Sequence, residues 1–243
     1  MKKIIYVFFA AMVLISCKNE SKKENFPDAL GKVFEKHGGI DAWRNANTLS
    51  FNKGDEAHTV DLKSRKTTVH SPKYSMGYNS KEVWIKQQDS TAFKMDPKFY
   101  YNLYFYFYAM PFVLADNGII YEEAKPLTFE GKEYPGFKIS YESNVGTSPE
   151  DNYFVYYNPK TYQMEWLKYS VTFFSKKPSD KFNVIRYNDW ETVDGFVLPK
   201  SITWYKKDDN GLPTKPRGPS TEFTLAIVKK AKLQDTFFEK PTQ

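Results

Sequence analysis

The chain has 243 residues, a formal charge of +6 and a mean hydropathy of −0.62, with 18% aromatic and 26% charged residues. That hydropathy excludes a polytopic membrane protein, and a single cysteine, Cys17, excludes a disulfide framework or a cysteine metal site. Abundant Phe, Tyr, Val, Ile and Thr suit pleated, half-buried surfaces, so one mainly β domain is expected.

The first element is a leader. MKK is a basic n-region, and the apolar IIYVFFAAMVLI after it is too short to span a bilayer comfortably. Leu14-Ile15-Ser16-Cys17 resembles the lipobox of bacterial lipoproteins. The resemblance implies a signal peptide over residues 1–16, diacylglyceration of the Cys17 thiol, and a mature charge of +4 once Lys2 and Lys3 are lost. Two or three acyl chains hold a protein stably on a membrane, whereas one does not. Residues 17–25, polar and charged, then read as a lipidated tether. The implied location is the bacterial outer membrane, facing the periplasm or the surface; Glu20 alone is a weak surface-export signal.

Residues 26–46 read as helix, broken at Gly38-Gly39. Phe26, Ala29, Leu30, Val33, Phe34 and His37 recur at helical spacing, Asn25 can cap the start, and Pro27 suits the first turn. His37 at the helix end is expected to act as a dipole-stabilising cap when charged. IDAWRNA adds a short second turn. From Thr48 the period changes to two: TLSF, HTVDL, KTTVH, KYSMGY and EVWIK read as short strands. After an aromatic stretch the strands FKISYES, NYFVYY, EWLKYSVTFF, FNVIRYNDW, FVLPKSITWYK and EFTLAIVKK follow, about ten in all. Asn158-Pro159 predicts a type I turn, while Asp194-Gly195 and Asn210-Gly211 supply hairpin turns. Leu167, Tyr169, Val171 and Phe173 alternate with polar neighbours, which predicts a sheet with one dry side. Residues 208–220, rich in Pro and Gly, read as a long loop.

HGGIDAW, the NPKT turn before MEWLKY, RYNDWETVDGFVLPKSITWY and the closing DTFFEKP together resemble Bacteroidota lipoproteins of unassigned function. More distantly they resemble lipoprotein-carrier half-barrels of the LolA/LolB class. The resemblance implies a curved, unclosed antiparallel half-barrel over residues 26–243, wrapped over an N-terminal helix and a central aromatic helical lid. In the carrier class the cavity receives acyl chains of lipoproteins. No functional residue of that class transfers to this chain, and Cys17 fits an anchored member better than a soluble carrier.

The stretch YYNLYFYFYAMPFVLAD, residues 100–116, decides what such a cavity can be. Pro111 and Asn102 argue against a membrane span. At ~150–250 Å² each, its eight aromatics carry on the order of 1,200–2,000 Å², against ~300–600 Å² for the largest apolar patch of a typical monomer. Most of the run must be covered. Asp96-Pro97 reads as a helix start and Pro111 as a kink, so helix–kink–helix is favoured over a strand. Such a segment either plugs the core or lids a ligand cavity.

No HxH or HExxH spacing, GxSxG elbow or phosphate loop is present, and His58 and His70 with Asp55 and Asp61 have no metal-site spacing. Adjacent carboxylates such as Glu122-Glu123 point to opposite faces of a strand. The expectation is a non-catalytic, monomeric envelope module without metal, cofactor or nucleic acid. It is anchored to a membrane and binds an apolar ligand or a lipidated protein. The candidate ligand-binding residues are Trp43, Trp84, Tyr104, Phe105, Tyr108, Met110, Phe112, Trp166 and Trp204. A filled protein–protein interaction module is the alternative, and a glycan or lipid hydrolase a further one.

Overall fold

Helix α1, Asp28–Lys36, forms where the stripe predicts it and buries Leu30, Val33 and Phe34. A computed structural model describes residues 26–142 and 150–242, so Asn25, Cys17, the leader and the tether lie outside the described residues. No side chain caps α1 at its start. It stops at Gly38, whose φ of +112° and close approach to the Gly195 carbonyl leave no room for a Cβ. Helix α2, Ile40–Asn45, follows and buries Ile40 and Trp43.

His37 closes α1 differently from the charged cap that its position suggests. The ring is fully buried. Its Nδ1–H donates to the Val197 carbonyl at 2.8 Å, and its Nε2 accepts from the Met164 N–H at 3.2 Å and the Gln163 amide at 3.0 Å. Burial is the main cause that pushes its pKa down to about 4, so the ring is neutral and acts as a clasp between α1 and two strands. A His depressed in the fold binds its proton preferentially in the unfolded chain. Its contribution is therefore complete above the unfolded value of about 6.5 and is lost as pH falls towards 4, in all on the order of 3 kcal/mol. His37→Gln is expected to flatten that part of the stability–pH curve, measured by urea denaturation at several pH values. An unchanged slope between wild type and variant would refute the clasp.

Among the described residues thirteen strands form one sheet: β1 Thr48–Lys53, β2 Glu56–Asp61, β3 Thr67–His70, β4 Tyr74–Tyr78, β5 Val83–Gln87, β6 Ile119–Phe129, β7 Lys132–Tyr141, β8 Tyr153–Tyr157, β9 Met164–Tyr169, β10 Asn183–Val193, β11 Phe196–Lys207, β12 Pro213–Pro216 and β13 Thr221–Lys229. The order is β5-β4-β3-β2-β1-β13-β11-β10-β9-β8-β7-β6, with β12 added beside β11, and the paired strands are antiparallel. The sheet does not close, because β5 and β6 are its two ends. It is an open half-barrel.

This topology explains the aromatic run. The chain leaves the sheet at β5, one edge, and re-enters at β6, the other, so residues 88–118 must cross the open side. They do so as α3 (Pro97–Tyr100), α4 (Leu103–Tyr108) and a 3₁₀ turn, Phe112–Ala115, with a cis Met110–Pro111 bond between the last two. Asp96 caps α3 by accepting from the Lys98 N–H at 2.8 Å. The helix–kink–helix reading holds, in shorter pieces than a continuous stripe suggests.

Two cores result. On the concave face α1, α2, α4 and the 3₁₀ turn pack with Leu49, Val155, Leu167, Ile185, Leu198 and Phe223. On the convex face Trp166, Tyr156 and Val184 are covered by Leu127, Phe129 and Tyr134 from the β6–β7 hairpin. A bulge at Glu165, between the Tyr157–Met164 and Tyr156–Trp166 pairs, places Met164 on the concave side and Trp166 on the convex one. The C-terminal 3₁₀ turn Asp235–Phe238 lies against Trp84, whose indole N–H donates to the Phe238 carbonyl at 2.9 Å.

Three sequence expectations need correction. Residues 170–174 are not strand: β9 ends at Tyr169, and the Thr172 hydroxyl and N–H both turn onto Asp151. Residues 208–220 contain β12, a short addition to β11. The long strand β6 was not anticipated at all, because its Glu122, Glu123, Lys125 and Pro126 break the alternation.

Candidate functional site

The apolar cavity that the half-barrel implies is mostly filled. Trp43 stacks on Phe112 at 4.4 Å and 7°, and Phe196 meets both rings edge-on. Tyr108 packs between Phe51 and Phe223, at 4.3 and 4.7 Å. Phe105 and Met110 are buried in the same core. Tyr104 lies 4.3 Å under the Lys53 ammonium.

What stays open is a cleft of about 150 Å³ on the other side of the aromatic segment, where α3 and α4 pass the ends of β7, β8 and β9. Its floor is Phe107, Tyr169, Ser170 and Asp151, all buried. Half-buried walls come from Phe99, Leu103 and Tyr106 on one side and Tyr141, Tyr153, Val171 and Phe173 on the other. Lys98 and Asn117 form an exposed rim. Beside the cleft Phe99, Phe173 and Phe174 make a three-ring cluster with centroids 5.0–5.4 Å apart, and Phe174 is 68% exposed. Lys176 lies 4.2 Å over the Phe173 ring.

None of the nine sequence-nominated ligand residues lines this cleft. Trp43, Phe105, Tyr108, Met110 and Phe112 face the packed core. Trp84 and Trp166 belong to packing remote from the cleft: Trp84 under the C-terminal turn, Trp166 in the convex core. Trp204 comes closest: its indole N–H donates to the Tyr169 hydroxyl at 3.0 Å and so steadies a floor residue. The aromatic run does line the cleft, through Leu103, Tyr106 and Phe107, which sequence reading left unnamed as ligand residues.

A second cluster has the residue types of acid–base chemistry and lines neither this cleft nor the groove described below. The buried Glu56 carboxylate accepts from Tyr74, from Tyr100 at 2.7 and 2.8 Å, from Lys53 at 3.0 Å and from His58 Nε2–H at 3.0 Å. Burial alone would raise its pKa, but the hydrogen bonds from His58, Tyr74 and Tyr100 and the Lys53 charge outweigh it and hold the group at about 2. Burial keeps His58 neutral, with its pKa lowered. The arrangement fastens α3 to β2 and β4. His70, exposed, bonds to the Ser75 hydroxyl at 3.0 Å.

Another groove, of about 400 Å³ and more open, runs along Lys36, Glu165, Arg186 and Trp190. Its lining is polar, and Arg186 is paired with Glu165 at 3.0 Å.

Residues 19–198 match the family described as "Family of unknown function (DUF6503)". The chain belongs to that family. No curated protein matches it. Solved structures similar to this chain include a DUF1329 family protein from Desulfovibrio piger, with a TM-score of 0.47, 10% identity, and coverage of 87% of this chain and 96% of that one. A LolA superfamily protein from Nitrosomonas europaea gives 0.42 and 9%, covering 86% and 96%. A putative outer membrane lipoprotein-sorting protein domain from Vibrio parahaemolyticus gives 0.39 and 8%, covering 87% and 94%. No helix among the described residues is long and apolar enough to cross a membrane.

Proposed function

We propose that this chain is a non-catalytic envelope lipoprotein, anchored through Cys17, that holds the apolar part of a ligand such as an acyl chain or a lipidated partner in the cleft beside α3 and α4. The observation that carries the reading is the cleft's lining: Phe99, Leu103, Phe107, Val171 and Phe173 converge there, and the surface beyond continues apolar to the exposed Phe174. At about 150 Å³ the cleft matches cavities that admit one aromatic ring, so it takes one end of an acyl ligand, and the rest of the chain lies along the apolar surface towards Phe174.

The packed concave core supports the interaction-module alternative only in part, because such a module has no use for an apolar cleft. A hydrolase would need a nucleophile and a base. Of the polar groups here, Ser170 Oγ accepts from the Asn152 N–H at 2.9 Å, Asp151 from Thr172 and Asp116 from Arg65, and no histidine lines the cleft.

The test is binding of Nile red, a neutral apolar dye, to the unacylated full chain (Cys17→Ser). Wild type is expected to bind with saturable fluorescence. Val171→Trp fills the cleft and removes about 60 Å² of apolar contact, a weakening of roughly tenfold. Absence of binding, or equal binding by the variant, would sink the reading.

A further inference from the structure

The cleft is not apolar throughout. Tyr106, Tyr141 and Tyr153 bring three phenol groups to it, and no described residue hydrogen-bonds to any of their hydroxyls. Tyr141 and Tyr153 stand 6.1 Å apart at 85°, and Tyr153 lies 6.4 Å from the floor ring of Tyr169. Three other tyrosine hydroxyls from the sheet are spent on protein: Tyr121 donates to the Leu114 carbonyl at 2.7 Å, Tyr187 donates to the Phe107 carbonyl at 3.0 Å, and Tyr169 accepts from Trp204 at 3.0 Å. Half-buried phenols without protein partners, set among aromatic walls, are groups whose hydrogen bonds a ligand can complete.

The charges beside them decide which ligand. Two carboxylates, Asp116 and Asp151, line the same cleft. The Arg65 guanidinium is consumed by Asp116, with both oxygens at 2.6 Å, and does not line the cleft. Asp151 gives one oxygen to Thr172, through bonds of 2.6 and 2.7 Å, and its other oxygen has no described partner. Lys98 is the one cation among the lining residues, and it is exposed at the rim; Lys176, over the Phe173 ring and also exposed, is the other cation near Asp151.

Resting on the reading of the cleft as an apolar-ligand site, we propose that it selects an amphiphile with a neutral, hydroxyl-bearing head, such as a monoacylglycerol, over a fatty-acid carboxylate. The head lies against Tyr106, Tyr141, Tyr153 and Asp151. The cleft holds the volume of about five waters, enough for a glycerol-sized group. The acyl chain leaves along Phe99, Phe173 and Phe174. A hydroxyl can donate to the free Asp151 oxygen and both give to and accept from the phenols. A carboxylate has no proton to give and meets Asp151 with like charge. Burial, reinforced by the neighbouring phenols and carboxylates, raises the pKa of Tyr141 and Tyr153, so both stay protonated donors across the physiological range.

The experiment is displacement of Nile red from the unacylated full chain at pH 8 by decanoylglycerol and by decanoate, in wild type and in Tyr141→Phe/Tyr153→Phe. Wild type is expected to bind the glyceride at least roughly tenfold more tightly than the anion, and the double variant, which keeps both rings, to lose most of that preference, each displacement being referred to that protein's own Nile red affinity. Equal displacement, tighter binding of decanoate, displacement by neither, or a preference that survives the double substitution would overturn the inference and leave the apolar site standing. Failure of wild type to bind Nile red at all would overturn the site itself, and the inference with it.

Discussion

Glu56→Ala is expected to destabilise the protein by about 3–5 kcal/mol, the cost of removing one partner from a buried ionic cluster. The loss exceeds that of the carboxylate alone. Lys53, His58, Tyr74 and Tyr100 all direct hydrogen bonds at Glu56, and each is left in a site built around a negative charge. Total stability of a domain is only ~5–15 kcal/mol, so the variant is expected to unfold at a much lower urea concentration. Glu56→Gln keeps the shape and separates charge from volume; its smaller loss measures the charge. The pH dependence carries its own sign. Glu56 sits below its ordinary 4.5 at about 2 in the fold, so its stabilisation is complete above pH 4.5 and disappears as pH falls through 2, on the order of 3 kcal/mol. That window lies below most of the one set by His37, the two meeting between about pH 4 and 4.5. A Glu56→Gln protein that keeps the wild-type slope between pH 4.5 and 2 would show that Glu56 is not the group responsible. Because Tyr100 belongs to α3, the same substitution loosens the start of the segment that walls the cleft, and a weakened Nile red signal is expected to accompany it.

Trp166→Ala is expected to cost about 3–5 kcal/mol while leaving cleft binding unchanged. The indole is wholly buried on the convex face, with Phe129 at 4.8 Å, Tyr205 at 5.0 Å and the Arg186 guanidinium at 4.5 Å. Its removal opens a cavity beneath the β6–β7 hairpin, which has no other large side chain from β9 to rest on. Trp166→Phe is expected to be far milder. The indole N–H is buried without a hydrogen-bond partner among the described residues, so the smaller ring gives up contact area but also removes an unsatisfied donor. Urea midpoints for the two variants, read beside Nile red titrations, separate packing from binding. A Trp166→Ala protein that is stable but blind to the dye would return Trp166 to the ligand site and refute the two-faced sheet.

Much of the fold was legible because local rules and tertiary packing agree. The stripe from Phe26 to His37 buries one face of α1, and the Asp194-Gly195 turn joins β10 to β11 with positive φ at both residues. The aromatic density of residues 100–116 requires cover whatever its secondary structure, and the sheet's two free edges leave the chain no route but across the concave side. β6 was illegible for the opposite reason. Most of its side chains point at solvent, so polar residues and a proline sit where period-two reasoning wants apolar ones.

The amino-acid sequence by itself determined the class of sheet, the helical entry and the need to bury the aromatic run, since each depends on composition or on neighbours within a few positions. Only the tertiary structure decided which rings plug the core and which wall a cleft. A strand's two faces are equally apolar in sequence when both are covered, as around Trp166 and Leu167, and a single bulge at Glu165 reassigns every side chain beyond it. Likewise Tyr106, Tyr141, Tyr153 and Asp151 come from a helix, the end of one strand and the approach to another. Their meeting depends on how the sheet curls, which no short window of sequence encodes.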